Sequence, residues 1–140
     1  MNEILSTPAI PAAAGFTPMV LAHTAAALLA IGVGAVAFAA RKGTLAHRIA
    51  GRAWVALMLA AAISSFWIQG LGHFSPIHLL SIAVPVMLGA AVWCAMTGRI
   101  ERHRQMMTRL YLFGLGVAGL FTLLPGRLLG RVLWTSLGII

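Results

Sequence analysis

Four histidines, His23, His47, His78 and His103, recur at gaps of 24, 31 and 25 residues, each at or just after the start of a strongly apolar stretch. Imidazole carries protons near neutral pH and ligates transition metals. If the apolar stretches are membrane helices running up and down, His23 and His78 share one membrane face and His47 and His103 the other. Two imidazoles per layer meet the axial needs of low-spin b-type haem iron, which takes one nitrogen on each face of the ring. Zinc fits less well, because it prefers about four tetrahedral ligands and the one acid near these histidines is Glu101. Copper is a further option, since Met58, Met87, Met96, Met106 and Met107 offer soft sulfur. Methionine at helical spacing, however, more often fills a core. The fifth histidine, His73, falls in an expected loop and reads as an interfacial residue.

The elements that must position these side chains are membrane helices. Of the 140 residues, 61% are hydrophobic and 9% charged, and the mean hydropathy is +0.97; a soluble domain has about 25% charged residues. The formal charge of +8 does not indicate a nucleic-acid face. Arg41, Lys42, Arg48, Arg52, Arg99, Arg102, Arg104 and Arg109 lie in two short stretches between apolar runs, the pattern of cytoplasmic loops. The lone cysteine, Cys94, rules out an intramolecular disulfide.

A spanning helix needs about 20 apolar residues. Four are expected, over about 18–40, 44–69, 76–97 and 100–124. Thr17 caps the first and Pro18 takes its first position; Ser75-Pro76 starts the third and Pro125-Gly126 stops the fourth. Residues 127–140 are too short to span comfortably, and Arg127, Arg131 and Trp134 suit an interfacial segment. Residues 1–15 lack a basic n-region, so the first stretch reads as a retained helix rather than a signal peptide. The fold class expected is all-α, a transmembrane four-helix up-down bundle forming one integral membrane domain over 1–140. Basic loops inside place it as a multi-pass protein of a bacterial inner membrane with its N-terminus outside, and a homodimer is compatible with it.

The two hairpins resemble each other. His47-Arg48 and His103-Arg104 each follow a glycine, Gly43 and Gly98, and each precedes a further arginine, Arg52 and Arg109. An aromatic residue, Trp54 or Tyr111, comes two positions after that arginine. Hairpin duplication in one orientation gives a pseudo-two-fold axis along the membrane normal. At ~1.5 Å per residue, His47 falls about level with residue 38 or 39 and His103 about level with residue 95. The histidine layers then stand ~23 and ~25 Å apart on the two hairpins. Intramembrane ionisable residues are functional candidates because burying them is costly. Arg48, Arg52, Arg104 and Arg109 near the inner layer, and Arg127 and Arg131 near the outer one, are of the type that pairs with haem propionates. As positive-inside anchors the first four need no ligand.

Two decoys fall away. Gly114-Leu-Gly116-Val-Ala-Gly119 matches G-x-G-x-x-G but lies in an apolar helix with no preceding strand. The chain has no aspartate, and Glu3 and Glu101 are its only acids, which removes Ser-His-Asp and paired-carboxylate chemistry.

Arg-Lys-Gly-Thr-Leu-Ala-His-Arg-Ile-Ala-Gly-Arg (41–52), Phe-Ser-Pro-Ile-His-Leu-Leu-Ser (74–81), His-Arg-Gln-Met-Met (103–107) and Phe-Thr-Leu-Leu-Pro-Gly-Arg (121–127) resemble a bacterial family of four-helix membrane proteins of unknown function. In layout the four histidines are similar to the two-haem transmembrane cytochrome b family that includes ascorbate-dependent ferric reductases. That likeness implies two haem b groups, His23/His78 ligating the outer iron and His47/His103 the inner one. The very short loops and the single acid in the core region depart from that family's ascorbate site. The function expected is a small b-type cytochrome, a transmembrane oxidoreductase passing electrons between the two faces, with quinone or a small donor or acceptor as partner. The alternative is a non-redox membrane module, a partner subunit or a carrier for metal or a small molecule, with the histidines handling metal or protons. A structural bundle with no cofactor is the third reading.

Overall fold

A computed structural model describes residues 17–68, 76–124 and 128–139. The described chain is helical, without strands. Helix α1 (Pro18–Ala39) starts at Thr17, whose hydroxyl accepts from the Val20 N–H. Helix α2 (Leu45–Ser65) starts at Thr44, which accepts from the His47 N–H in the same way. Helix α3 (Pro76–Met96) holds Pro85 in its interior, where the ring removes one backbone hydrogen bond. Three of these stretches, Pro18–Ala39, Leu45–Ser65 and His78–Met96, are long and apolar enough to cross a membrane.

The stretch expected as one helix over 100–124 is three consecutive segments: α4 (Ile100–Arg109), a π-helical turn (Leu110–Leu115) and α5 (Gly116–Thr122). A short helix α6 (Leu128–Ser136) comes next, its Trp134 indole donating to Leu123 O. Both basic turns are tight, with Gly43 and Gly98 in the left-handed region at φ 81° and 75°. At the first turn the Lys42 ammonium folds back on the α1 carbonyls, donating to Phe38 O at 2.6 Å and to Ala37 O and Ala40 O at 3.3 Å.

The principal contacts run in a closed order. Helix α1 packs on α2, α2 on α3, and α3 on α4 and the π turn, which returns to α1. The core comprises Ala30, Trp54, Met58, Ala62, Val84, Leu88 and Leu110. Buried positions recur between the hairpins. Ala30, Gly34 and Ala37 correspond to Val84, Leu88 and Ala91, each pair 54 residues apart, while Trp54 and Met58 correspond to Leu110 and Gly114, 56 apart. The duplication expected from the residue pattern therefore has a counterpart in the burial of both hairpins.

Gly34 is the tightest point of this packing. A Cβ there would stand 2.5 Å from Tyr111 Cε2 and 2.7 Å from Trp54 Nε1, whereas one on Gly32 would meet nothing within 4 Å. The Tyr111 hydroxyl donates to Ile31 O at 3.0 Å on the same helix. Gly34→Ala is therefore expected to lose about 1–3 kcal/mol through overpacking, seen as a lower thermal midpoint in detergent. Gly32→Ala should leave that midpoint unchanged or raise it, and equal midpoints for the two variants would refute the role given to Gly34.

Candidate functional site

Depth and register decide what the histidines can do together. Along α2 the buried stripe Trp54, Met58, Ala62 extends back at 3.6 residues per turn onto His47. On the fourth stretch, Leu110 extends back onto His103 in the same way. Along α1, the stripe of Ala30, Gly34 and Ala37 extends back onto His23. His78 is different. Position 77 is the one 54 residues from His23, and His78 stands about 100° around α3 from the centre of its buried stripe. Three of the four histidines thus share core-facing stripes, and His78 lies to one side.

The inner pair is built alike in both hairpins. His47 Nδ1 lies 2.9 Å from Ala37 O, and His103 Nδ1 lies 2.8 Å from Ala91 O. Ala37 and Ala91 are themselves corresponding buried positions. A carbonyl only accepts, so Nδ1 carries a proton in each ring, and in the neutral imidazole Nε2 keeps its lone pair. His103 sits about four residues deeper than the level of residue 95 because the second turn is centred on Thr97-Gly98, closed by Arg99 N–H to Cys94 O at 2.8 Å. Counting from these contacts, the layers stand ~21 Å apart on the first hairpin and ~20 Å on the second.

The outer pair leans on the end of α2. His23 Nδ1 is 2.9 Å from Ser64 Oγ, which donates to Ala61 O. The His78 ring lies 6.4 Å from that of Phe66, tilted by 50°. Ser65 and buried Ser81 meet at 2.6 Å, so a belt of hydroxyls links α2 to α3 at this level.

Arg48, Arg52, Arg104, Arg109 and Arg131 are exposed, and Arg104 approaches Glu101 at 4.0 Å. Arg127, His73, Phe74, Ser75 and Pro125-Gly126 lie outside the described residues. Cys94 is buried. Among the described residues no three His, Cys, Asp or Glu side chains converge as a metal site would require, whereas axial haem ligation uses two imidazoles.

Each inner histidine has one ring nitrogen tied to a carbonyl and one left for a further partner. Metal-bound histidine characteristically gives its other ring N–H to a carbonyl or carboxylate, which fixes tautomer and orientation, and both inner histidines do so. Space is present beside His47: Gly51, one turn on and half-buried, lies on the same stripe, and a Cβ there would meet nothing within 4 Å. Lys42 and Ser64 are contributors that the sequence pattern did not single out for this site, whereas Gly51 is among the small residues of the helices that suit a planar guest. Lys42 shares the Ala37 carbonyl with His47, and only the turn geometry reveals that.

A family model described as predicted membrane protein (DUF2306) matches residues 20–134. The chain belongs to that family of membrane proteins. No curated protein and no solved structure matches it, so the likeness to two-haem cytochromes rests on histidine layout alone.

Nitrogen-15 spectra of the imidazoles, taken on protein prepared without added haem or metal, should show His47 and His103 protonated at Nδ1 and bare at Nε2. Protonation at Nε2 in either ring would reverse the assignment of its carbonyl contact.

Proposed function

We propose that the chain is a four-helix transmembrane bundle that holds haem iron between paired histidines and carries electrons across the membrane. The observation that supports this best is the inner pair: two imidazoles at corresponding positions of two hairpins, each tied through Nδ1 to a carbonyl of the preceding helix. The succession of contacts from α1 through α3 to the fourth stretch and back to α1 supports a diagonal placement of α2 and the fourth stretch, with His47 and His103 at the inner ends of their core-facing stripes. Bound iron would supply a one-electron couple there. His47 and His103 would offer Nε2 as ligands, the Ala37 and Ala91 carbonyls would hold the rings in place, and Gly51 would leave room beside them. Arg48 and Arg104, next to the two histidines, would serve carboxylates at the inner rim. His23 and His78 form the second pair in this reading, with Ser64 orienting His23. Basic turns on the cytoplasmic side leave the N-terminus outside, and quinone or a small redox partner would exchange electrons at one face.

A hydrogen-bonded imidazole with a free Nε2 also suits a proton or copper carrier, so the test must separate these. Protein purified from haem-replete cells should show a Soret band that shifts on dithionite reduction. His47→Ala or His103→Ala should each abolish about half of it, and Ser64→Ala should alter only the component ligated by His23. Colourless wild-type protein would end the haem reading, and bound copper in that sample would favour the carrier.

A further inference from the structure

The outward side of the first hairpin carries an apolar groove between two spanning helices. Small Gly32, Ala46 and Ala50 are set among larger Leu28, Val36 and Ile49, and together they line an open cleft of about 530 Å³ between α1 and α2. A Cβ on Gly32 would meet nothing within 4 Å, so no protein atom fills the cleft at that point. The contact between His47 and Ala37 sets the register of the two helices. Counting from it, the cleft runs from Ala46, about level with Phe38 at the basic end, to Leu28, ~16 Å from Ala39. Half of the hydrocarbon core of a bilayer is about 15 Å. The cleft therefore matches the depth of an acyl chain in one leaflet, whereas a docked transmembrane helix would need a seat along the whole of α1.

Cations stand at its basic end. Arg41 lies in the turn that follows α1, and Arg52 lies three residues on from Ile49, on the adjoining side of α2. Arg52 is about level with Gly32, ~10 Å from the end of α1. Side chains tilt toward the N-terminus of their helix, which for α2 is the basic end, and an arginine reaches roughly 6–7 Å from its Cα by bond lengths. The Arg52 guanidinium thus extends toward the headgroups. Both arginines are exposed. Among the described residues neither guanidinium has a hydrogen-bonding or ionic partner, and the acid there, Glu101, approaches Arg104 on the other hairpin. Lys42, by contrast, is engaged with the α1 carbonyls. The second hairpin does not repeat the combination. At the positions corresponding to Gly32, Ala46 and Ile49 it has Val86, Arg102 and Gln105, so a side chain stands where the first hairpin has none.

We propose that the cleft between α1 and α2 seats an acyl chain of an anionic phospholipid whose phosphate is held by Arg41 and Arg52. Charge complementarity selects the lipid, since guanidinium groups pair with phosphate and basic pockets between transmembrane helices bind anionic headgroups. The site is independent of iron binding.

The test titrates the full chain in detergent with phosphatidylglycerol or phosphatidylcholine of identical acyl chains and counts the adducts by native mass spectrometry. One phosphatidylglycerol should bind at least ~10-fold tighter than phosphatidylcholine. Arg41→Gln combined with Arg52→Gln is expected to remove that preference. Gly32→Leu or Ala46→Leu, either of which adds bulk to the cleft, should weaken phosphatidylglycerol binding by a similar factor. Arg102→Gln on the second hairpin should leave the tight site intact. Equal binding of the two lipids would overturn the proposal, as would a preference that survives the double arginine variant. Binding undiminished by both leucine variants would assign the lipid to surface charge alone, and displacement by glycerol phosphate would assign the arginines to a free phosphate; either result overturns it. A dimer mass that Gly32→Leu abolishes would give the cleft to a second copy and overturn it as well.

Discussion

Closure of the helix cycle rests on the seat that Trp54 and Tyr111 share over Gly34. Helices in a bilayer gain little from hydrophobic burial against one another, because lipid tails are as apolar as their side chains. Close backbone approach and hydrogen bonds must then hold them. Gly34 supplies the first and the Tyr111 hydroxyl on Ile31 O the second. The π turn contributes by register. One residue is added to a turn, which rotates the downstream residues by about 100° relative to a continuous α-helix. With that turn in place Tyr111 lies over α1 while Gly114 faces Met58 and Val84. The second hairpin thereby touches both ends of the cycle.

Among the described residues, several polar groups of the spans are tied close to home. Ser64, Ser65, Thr108 and Thr122 donate to carbonyls three or four residues back, and the inner histidines reach a neighbouring helix. Such bonds contribute only about 0.6 kcal/mol each in membranes, so their consequence is orientation more than stability. An imidazole with one nitrogen tied is a ring of fixed tautomer, and the other nitrogen becomes a defined donor. Among the described residues, the Trp54 indole N–H is buried without a partner. It is pressed between Gly34 and a Tyr111 ring 6.1 Å away and tilted by 51°.

Much of this is legible in the residues. The membrane class comes from hydropathy and basic turns, and the corresponding positions of His47 and His103 come from spacing that both hairpins repeat. The π turn is not legible, since Leu110–Leu115 reads as ordinary apolar helix and its register is set by contacts with α1 and α3. Neither is the sideways register of His78, because a gap counted in residues carries no angle. Residue counting leaves His103 about four residues too shallow, because it takes Arg99, rather than Thr97-Gly98, as the point of reversal. Lys42 reads as a topology signal, yet its chain length lets it cap three carbonyls, including the one that holds His47.

The hairpins match in position but not in volume. Where the first has Trp54 and Met58 the second has Leu110 and Gly114, and where the first has Gly34 the second has Leu88. A Cβ on Gly114 would touch Met58 Cε at 3.6 Å, so corresponding positions meet as large against small. Identical residues could not do this: two methionines would collide and two glycines would leave a void, and close-packed interiors tolerate neither. The exchange commits each hairpin to a partner unlike itself. The surroundings of the inner histidines differ as well, since the carbonyl that holds His47 also accepts from the Lys42 ammonium.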